Sequence, residues 1–211
     1  MSDYFSLFGG RARGLAFPGI DFPGYAPDVW YPNLYAMGDR DAIATIGQAL
    51  LGNNRLYSVP FFCLEDVSWN AMGFNNTRTT DSGVSVALGI YSCDAAGREL
   101  NRLAQITPIT LDATAGFRQA PLSGGLAMKA RTLYRLVMNL SATAGVETVF
   151  TGNGSLVHDF GSPNPYNGYL SKQQCRTMVQ NYSPTPLPAT APALDTATTA
   201  GDYPPIIYLK R

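Results

Sequence analysis

Charge is scarce in this chain. Of its 211 residues only 14% are Asp, Glu, Lys or Arg, and fifteen basic residues cancel fifteen acidic ones. Globular proteins usually carry about 25%. Without a basic excess there is no electrostatic footing for nucleic acid. A neutral, charge-poor surface favours association, so much of this surface is expected to meet partners. Histidine occurs once, as His158, and cysteine three times, as Cys63, Cys93 and Cys175, with no C-x-x-C pair. That leaves almost no ligands for a transition metal, and no cofactor is expected. The cysteines read as small buried hydrophobes in a reducing compartment. A Cys63–Cys93 bridge stays open, because sequence alone cannot decide it.

The glutamates are Glu65, Glu99 and Glu147. Glycoside hydrolysis needs two carboxylates flanking one bond, and Glu65-Asp66 reads as an ordinary acidic turn. His158 and Asp159 are adjacent, so on a strand they point to opposite faces and cannot pair as base and orienter. No Walker A, G-x-G-x-x-G or G-x-S-x-G motif occurs. A non-enzymatic role is therefore expected. No apolar run approaches the ~20 residues of a membrane span. The start, Ser2-Asp3-Tyr4, lacks the positive charge and apolar run of a signal peptide, so synthesis and assembly in a cytoplasm are expected, with no membrane partner.

What the chain does have is aromatic residues in an unusual place. The first 35 residues hold Tyr4, Phe5, Phe8, Phe17, Phe22, Tyr25, Trp30, Tyr31 and Tyr35 among five glycines and four prolines. This stretch has neither helical nor strand periodicity, and its prolines and glycines oppose self-folding. It is also too aromatic for a solvated tail. It reads as an arm, residues 1–35, that finds its core elsewhere.

A helix segment is expected over 36–54. Asp39 serves as cap and Gly52 as stop, and Ile43, Ile46 and Leu50 form one apolar stripe. From Arg55 short apolar runs alternate with turns. The expected strands are Tyr57–Leu64, Val67–Phe74, Val84–Tyr91, Leu103–Ile109, Phe117–Leu122, Leu133–Leu140 and Glu147–Phe150. Turn chemistry separates them at Asn75-Asn76, Asp81-Ser82-Gly83, Asp94-Ala95-Ala96-Gly97 and Gly124-Gly125. Val84, Val86, Leu88 and Ile90 alternate on one face, so that face is buried. Pro60 marks an edge or bulged position. This texture predicts an all-β sandwich over residues 55–160. Residues 161–211 follow as a loop, a short helix started by a capping box at Ser171-Lys172-Gln173-Gln174 and running through Val179, and a Pro-rich extended connector. An apolar hook, Ile206-Ile207-Tyr208-Leu209, closes the chain.

Three further clusters carry weaker signals. Asp94-Ala95-Ala96-Gly97-Arg98-Glu99 lacks the oxygen ligands of a calcium loop and reads as a hairpin turn. Gly9-Gly10-Arg11-Ala12-Arg13-Gly14 has too little basic context for RNA. Tyr166 and Tyr169, beside Asn164 and Asn167, form the best candidate for stacking on a glycan.

Several segments together resemble a known group: Val67-Ser68-Trp69-Asn70-Ala71-Met72, Leu88-Gly89-Ile90-Tyr91 with the turn Asp94-Ala95-Ala96-Gly97, Leu111-Asp112-Ala113, and Leu133-Tyr134-Arg135-Leu136-Val137. In their order they are similar to the jelly-roll modules of bacteriophage virion proteins of the tail fibre, tail tip and head fibre. The resemblance implies a jelly-roll-like sandwich and a structural place in a virion, with other virion proteins and copies of itself as partners. A trimer is the form expected by analogy with fibre proteins. Tail tip, baseplate or fibre attachment is the first expectation. A capsid decoration protein, or a receptor-binding module that takes host surface glycans, is the alternative. The expected docking residues are Phe5, Phe8, Phe17, Phe22, Tyr25, Trp30 and Tyr31 in the arm, and Ile206, Ile207, Tyr208 and Leu209 in the hook.

Overall fold

The alternation read in Val84–Tyr91 is realised in a computed structural model, which describes residues 24–33, 45–94, 99–150, 178–181, 187–191, 199–200 and 205–211. Among them there is no α-helix. The strands are β1 (Trp30–Pro32), β2 (Thr45–Leu51), β3 (Arg55–Cys63), β4 (Val67–Asn76), β5 (Ser85–Cys93), β6 (Glu99–Gln105), β7 (Ile109–Thr110), β8 (Gly116–Met128), β9 (Thr132–Leu140), β10 (Ala144–Phe150), β11 (Met178–Asn181), β12 (Thr199–Ala200) and β13 (Ile207–Lys210). They form two antiparallel sheets. Sheet 1 runs β1-β13-β4-β10-β2, with β8 also on β4; sheet 2 runs β12-β11-β3-β9-β5-β6, with β7 also on β5.

One core lies between the sheets. Sheet 1 gives it Trp69, Met72, Phe74, Val146, Ile207 and Leu209; sheet 2 gives it Val59, Phe61, Val86, Leu88, Ile90, Leu136 and Met138. Each such side chain contributes roughly 1.5–3 kcal/mol by leaving water. The architecture is therefore a β-sandwich, with inward residues alternating along each strand. Sheet 2 is covered on its outer side too. There Leu56, Ala87, Tyr91 and Val137 pack around Leu187.

Five of the seven expected strands coincide with observed ones to within three residues, and a sixth, Phe117–Leu122, is the first half of the longer β8. The seventh, Leu103–Ile109, is divided between β6 and β7, and between them Ile106 bridges to Leu122. Pro60 pairs with Arg135 on one side, while on the other β11 reaches only as far as Ser58. Its missing N–H thus falls where β3 has no second described neighbour. Cys93 faces Glu99 in the β5–β6 pair, as the hairpin reading requires.

Two helix expectations need correction. Thr45–Leu51 is a strand along the whole of β10, from Leu51↔Ala144 to Thr45↔Phe150. Its real period is two: Gly47, Ala49 and Leu51 turn inward, while Gln48 and Leu50 face out, Leu50 at 59% exposure. The helical stripe was a coincidence of Ile46 and Leu50, and a free strand edge on β10 outweighed it. Likewise Met178 and Val179, the expected end of the second helix, are strand and pair with Ser58 and Tyr57. Residues 34–44 and 171–177, the remainder of those expectations, lie outside the described residues.

The sheets also draw strands from both sides of residues 55–160. β13 is inserted between β1 and β4, with Leu209↔Met72 and Leu209↔Tyr31 in register.

Candidate binding face of sheet 1

The expected docking residues divide sharply by location. Phe5, Phe8, Phe17, Phe22, Tyr166, Tyr169 and His158 lie outside the described residues. Tyr25 and Tyr31 sit in this chain's own core. Their rings meet edge to face at 4.9 Å, and Trp69 stands 4.8 Å from Tyr25 and 6.0 Å from Tyr31. Such ring pairs contribute about 0.5–1.5 kcal/mol each beyond burial. Burial also raises the Tyr25 hydroxyl far above its usual value. The Tyr25 amide donates to Glu65 at 2.7 Å, and the Tyr31 hydroxyl accepts the Ala26 amide at 2.6 Å. Ile206, Ile207 and Leu209 are wholly buried. The hook is thus a strand of its own sheet, and Asn33 secures it by accepting the Ile207 amide at 3.1 Å.

Residues 187–191 of the connector turn back as well. Leu187 fills a socket on the outside of sheet 2. Tyr91 donates its hydroxyl to the Pro188 carbonyl at 2.6 Å, Arg102 its amide to Ala189 at 2.9 Å, and Ala191 its amide to Leu100 at 2.8 Å. Beside this strap the fully buried Arg135 reaches the Ser58 carbonyl at 3.4 Å. Burial raises the carboxyl of neighbouring Glu99, and the Arg135 charge partly offsets that rise. Burial pushes the Cys93 thiol up to about 12, and Cys63 likewise. Both are free thiols. Among the described residues no three His, Cys, Asp or Glu side chains gather closely enough to hold a metal ion.

Among the described residues, Trp30 and Tyr208 are the expected ones that face outward. They meet a third ring that sequence reasoning passed over, Phe117 of β8. Phe117 lies edge to face with Trp30 at 4.9 Å and with Tyr208 at 5.4 Å, and it is 41% exposed. Gly73 makes this possible. It lies between Tyr208 and Gln119 in the ladder, and a Cβ there would fall 2.5 Å from Phe117 Cζ. The bare glycine lets Phe117 cross β4. The Tyr208 hydroxyl donates to Glu147 at 2.8 Å, and burial together with that carboxylate raises its pKa.

Beside this aromatic ridge the β4–β8 ladder breaks. Trp69 pairs with Leu126 but Ala71 with Pro121, so residues 122–125 bulge opposite Asn70. Gly124 and Gly125 take φ of 79° and 68°, left-handed values that suit glycine. The Gly124-Gly125 break is a bulge within a continuing strand, not its end. Next to it opens a cleft of about 380 Å³, bordered by Asp28, Asn70, Ala71, Gln119, Ala120, Pro121, Lys210 and Arg211. Lys210 Nζ lies 3.1 Å from Asp28.

The fold and face together define a two-sheet β-sandwich that presents an exposed aromatic and amide surface. No protein-family model matches the chain, and no curated protein sequence is significantly similar to it.

Proposed function

We propose that this chain is a non-enzymatic structural component of a bacteriophage virion. It is a jelly-roll-type sandwich of the tail tip, baseplate or fibre attachment that docks to neighbouring subunits, copies of itself included. The resemblance of residues 67–140 to virion jelly-roll modules supports this reading, and so does the charge-poor composition. The observation that carries it is the anchoring of both ends in one sheet. Tyr25 and Tyr31 are fixed on Trp69, and β1 runs beside β13. An arm whose base is held in this way can place Phe5, Phe8, Phe17 and Phe22 against a neighbour without loosening the body. Aromatic anchors of this kind dominate docking energy.

The boundary for a test follows from the buried tyrosines. Removing residues 1–35 would take Tyr25, Tyr31 and β1 out of the core, whereas removing 1–23 spares them. The 1–23 deletion is expected to fold with an unchanged melting temperature and to be lost from assembled particles. Normal incorporation of the deleted protein would refute docking through the arm. Copy number per particle, by quantitative mass spectrometry, separates a tail position from a capsid-wide one.

A further inference from the structure

Among the described residues, every sheet edge but one is guarded against a further strand. β1 is three residues long and ends on Pro32, and β7 and β12 have two residues each. β8 bulges opposite Asn70 and carries Arg118 and Pro121. The stretch of β3 beyond β11 holds Pro60. β6 carries Glu99 and Arg102, and the strap bridges it at Asn101↔Thr190. Short edges, prolines, charges and bulges are the usual devices against edge pairing. β2 has none of them. Its seven residues, Thr45–Leu51, include no charge and no proline, and they follow β10 without a register shift. Backbone direction along β10 shows what β2 leaves open. The Gly145 and Glu147 carbonyls accept the Thr77 and Ile206 amides at 3.0 Å, on the side away from β2. Successive residues of an antiparallel ladder alternate sides. Ala144, Val146, Thr148 and Phe150 therefore bond to β2, through Leu51, Ala49, Gly47 and Thr45. Ile46, Gln48 and Leu50 then turn their N–H and C=O groups outward, and no described residue pairs with them. The Gln48 and Leu50 side chains are exposed as well.

We infer that the β2 edge binds the β2 edge of a second copy of this chain, antiparallel, about a two-fold axis at Gln48. The pattern of the strand selects this occupant. Ile46-Gly47-Gln48-Ala49-Leu50 reads alike in both directions: apolar, small, amide, small, apolar. When Gln48 stands against Gln48 of the second copy, Leu50 falls in register with Ile46 of that copy, and the reverse. Each of these pairs exchanges both backbone hydrogen bonds, because all three residues turn their N–H and C=O groups to the open side. At the axis an amide meets an amide, and each both donates and accepts. On either side an apolar residue falls opposite an apolar one, a favourable cross-strand pair. No charge of the strand meets its own copy, and the chain as a whole is neutral, so self-approach meets no net repulsion. A two-fold contact of this kind is isologous and closes at a dimer. It joins sheet 1 of both copies into one continuous sheet. The contact does not rest on the virion reading: it belongs to the purified chain, whereas docking through the arm is measured in particles.

The test combines sedimentation equilibrium with amide hydrogen exchange on the full ¹⁵N-labelled chain. A dimer with a Kd of about 100 µM or tighter is expected. Protection of the Gln48 and Leu50 amides should rise with the dimer fraction, while the Ala49 and Leu51 amides, bonded to β10, stay protected at every concentration. Gln48→Lys sets like charges opposite each other at the axis and should weaken the dimer about tenfold or more. Gln48 is exposed, so the dilute variant should melt where the dilute parent does. Mixing Gln48→Lys with Gln48→Glu should restore a dimer that contains one of each. Four results would overturn the inference: a monomer up to about 1 mM, a trimer, a dimer that Gln48→Lys leaves unchanged, or Gln48 and Leu50 amides protected equally at every concentration, which would mean that the chain covers its own edge.

Discussion

Leu187 holds the strap of residues 187–191 to the outside of sheet 2, and a double-mutant cycle with Gly89 measures how firmly. Leu187 is 1% exposed among Leu56, Ala87, Tyr91 and Val137. Truncation to Ala removes buried methyl groups and leaves a cavity, which costs about 2–5 kcal/mol in well-packed sites. The strap lies on an outer face and can settle into the gap, so the lower half of that range is expected. Gly89 forms the floor of the socket. A Cβ there would stand 2.7 Å from Leu187 Cδ1 and 3.2 Å from the Ala104 carbonyl. Gly89→Ala alone is therefore overpacked and should cost roughly 1–3 kcal/mol. In the Leu187→Ala background the new methyl enters vacated space. The double variant should then be more stable than the sum of the two losses by about 1 kcal/mol or more, as residues in contact behave. Urea denaturation of the four proteins measures this, with a Tm shift of about 2–4 °C per kcal/mol at this size. A Leu187→Ala loss below about 0.5 kcal/mol, or strict additivity, would refute the docking of the strap on its own sheet.

Three other outcomes follow from local geometry. Burial raises the Cys63 and Cys93 thiols from the ordinary 9 to about 12. The native protein therefore keeps protons that the unfolded chain loses. Its stability should fall as pH rises from 9 towards 12, and in a Cys93→Ser/Cys175→Ser background iodoacetamide at pH 8 should label the fully buried Cys63 only as fast as the chain opens. Asp66 is held below its usual carboxylate value by the Ala130 amide at 2.7 Å and by Lys129 at 3.2 Å. That stabilisation is present above the ordinary carboxylate pKa and disappears as pH falls through the lowered one. Asp66→Asn should thus be less stable than the parent at pH 7 and indistinguishable from it in acid, as urea titrations across pH would read. Gly73→Ala would bring a methyl to 2.5 Å from Phe117 Cζ and 2.8 Å from the Arg118 carbonyl. A loss of about 1–3 kcal/mol is expected, and Phe117→Ala should rescue it only in part because the backbone clash remains. Full rescue in thermal melts would count against this geometry.

The sandwich body was legible because strands with one buried face announce themselves by alternation. Val86, Leu88 and Ile90 could hardly be read otherwise. β2 was not legible in the same way. Its inward residues, Gly47, Ala49 and Leu51, are mostly small, while its larger Leu50 points out, so the hydrophobic signal followed the wrong face. The strand exists because β10 offers an edge, and that is tertiary information. Composition treated residues 1–35 as one arm, although Tyr25 and Tyr31 belong to the Trp69 core. Nothing within the segment distinguishes an aromatic that packs on a distant strand from one that packs on a neighbour. Of the Pro-rich connector, residues 187–191 land on sheet 2, and that place depends on the bare Gly89, ninety-eight positions earlier in the chain than Leu187. The outward aromatic ridge shows the same limit. Trp30 and Tyr208 carry their own sequence signal, but Phe117 joins them only through strand pairing across β13, β4 and β8. The signal available in the sequence was the pair of small residues, Gly73 and Ala71, between larger ones in β4.

Photo-crosslinking from the arm tests the virion reading most directly. With p-benzoylphenylalanine in place of Phe17 or Phe22, irradiation of intact particles followed by mass spectrometry identifies what the arm touches. The account predicts crosslinks to other polypeptide chains of the particle, at defined sites and in each position tested. Crosslinks confined to the same chain, or particles that lack the protein altogether, would contradict it.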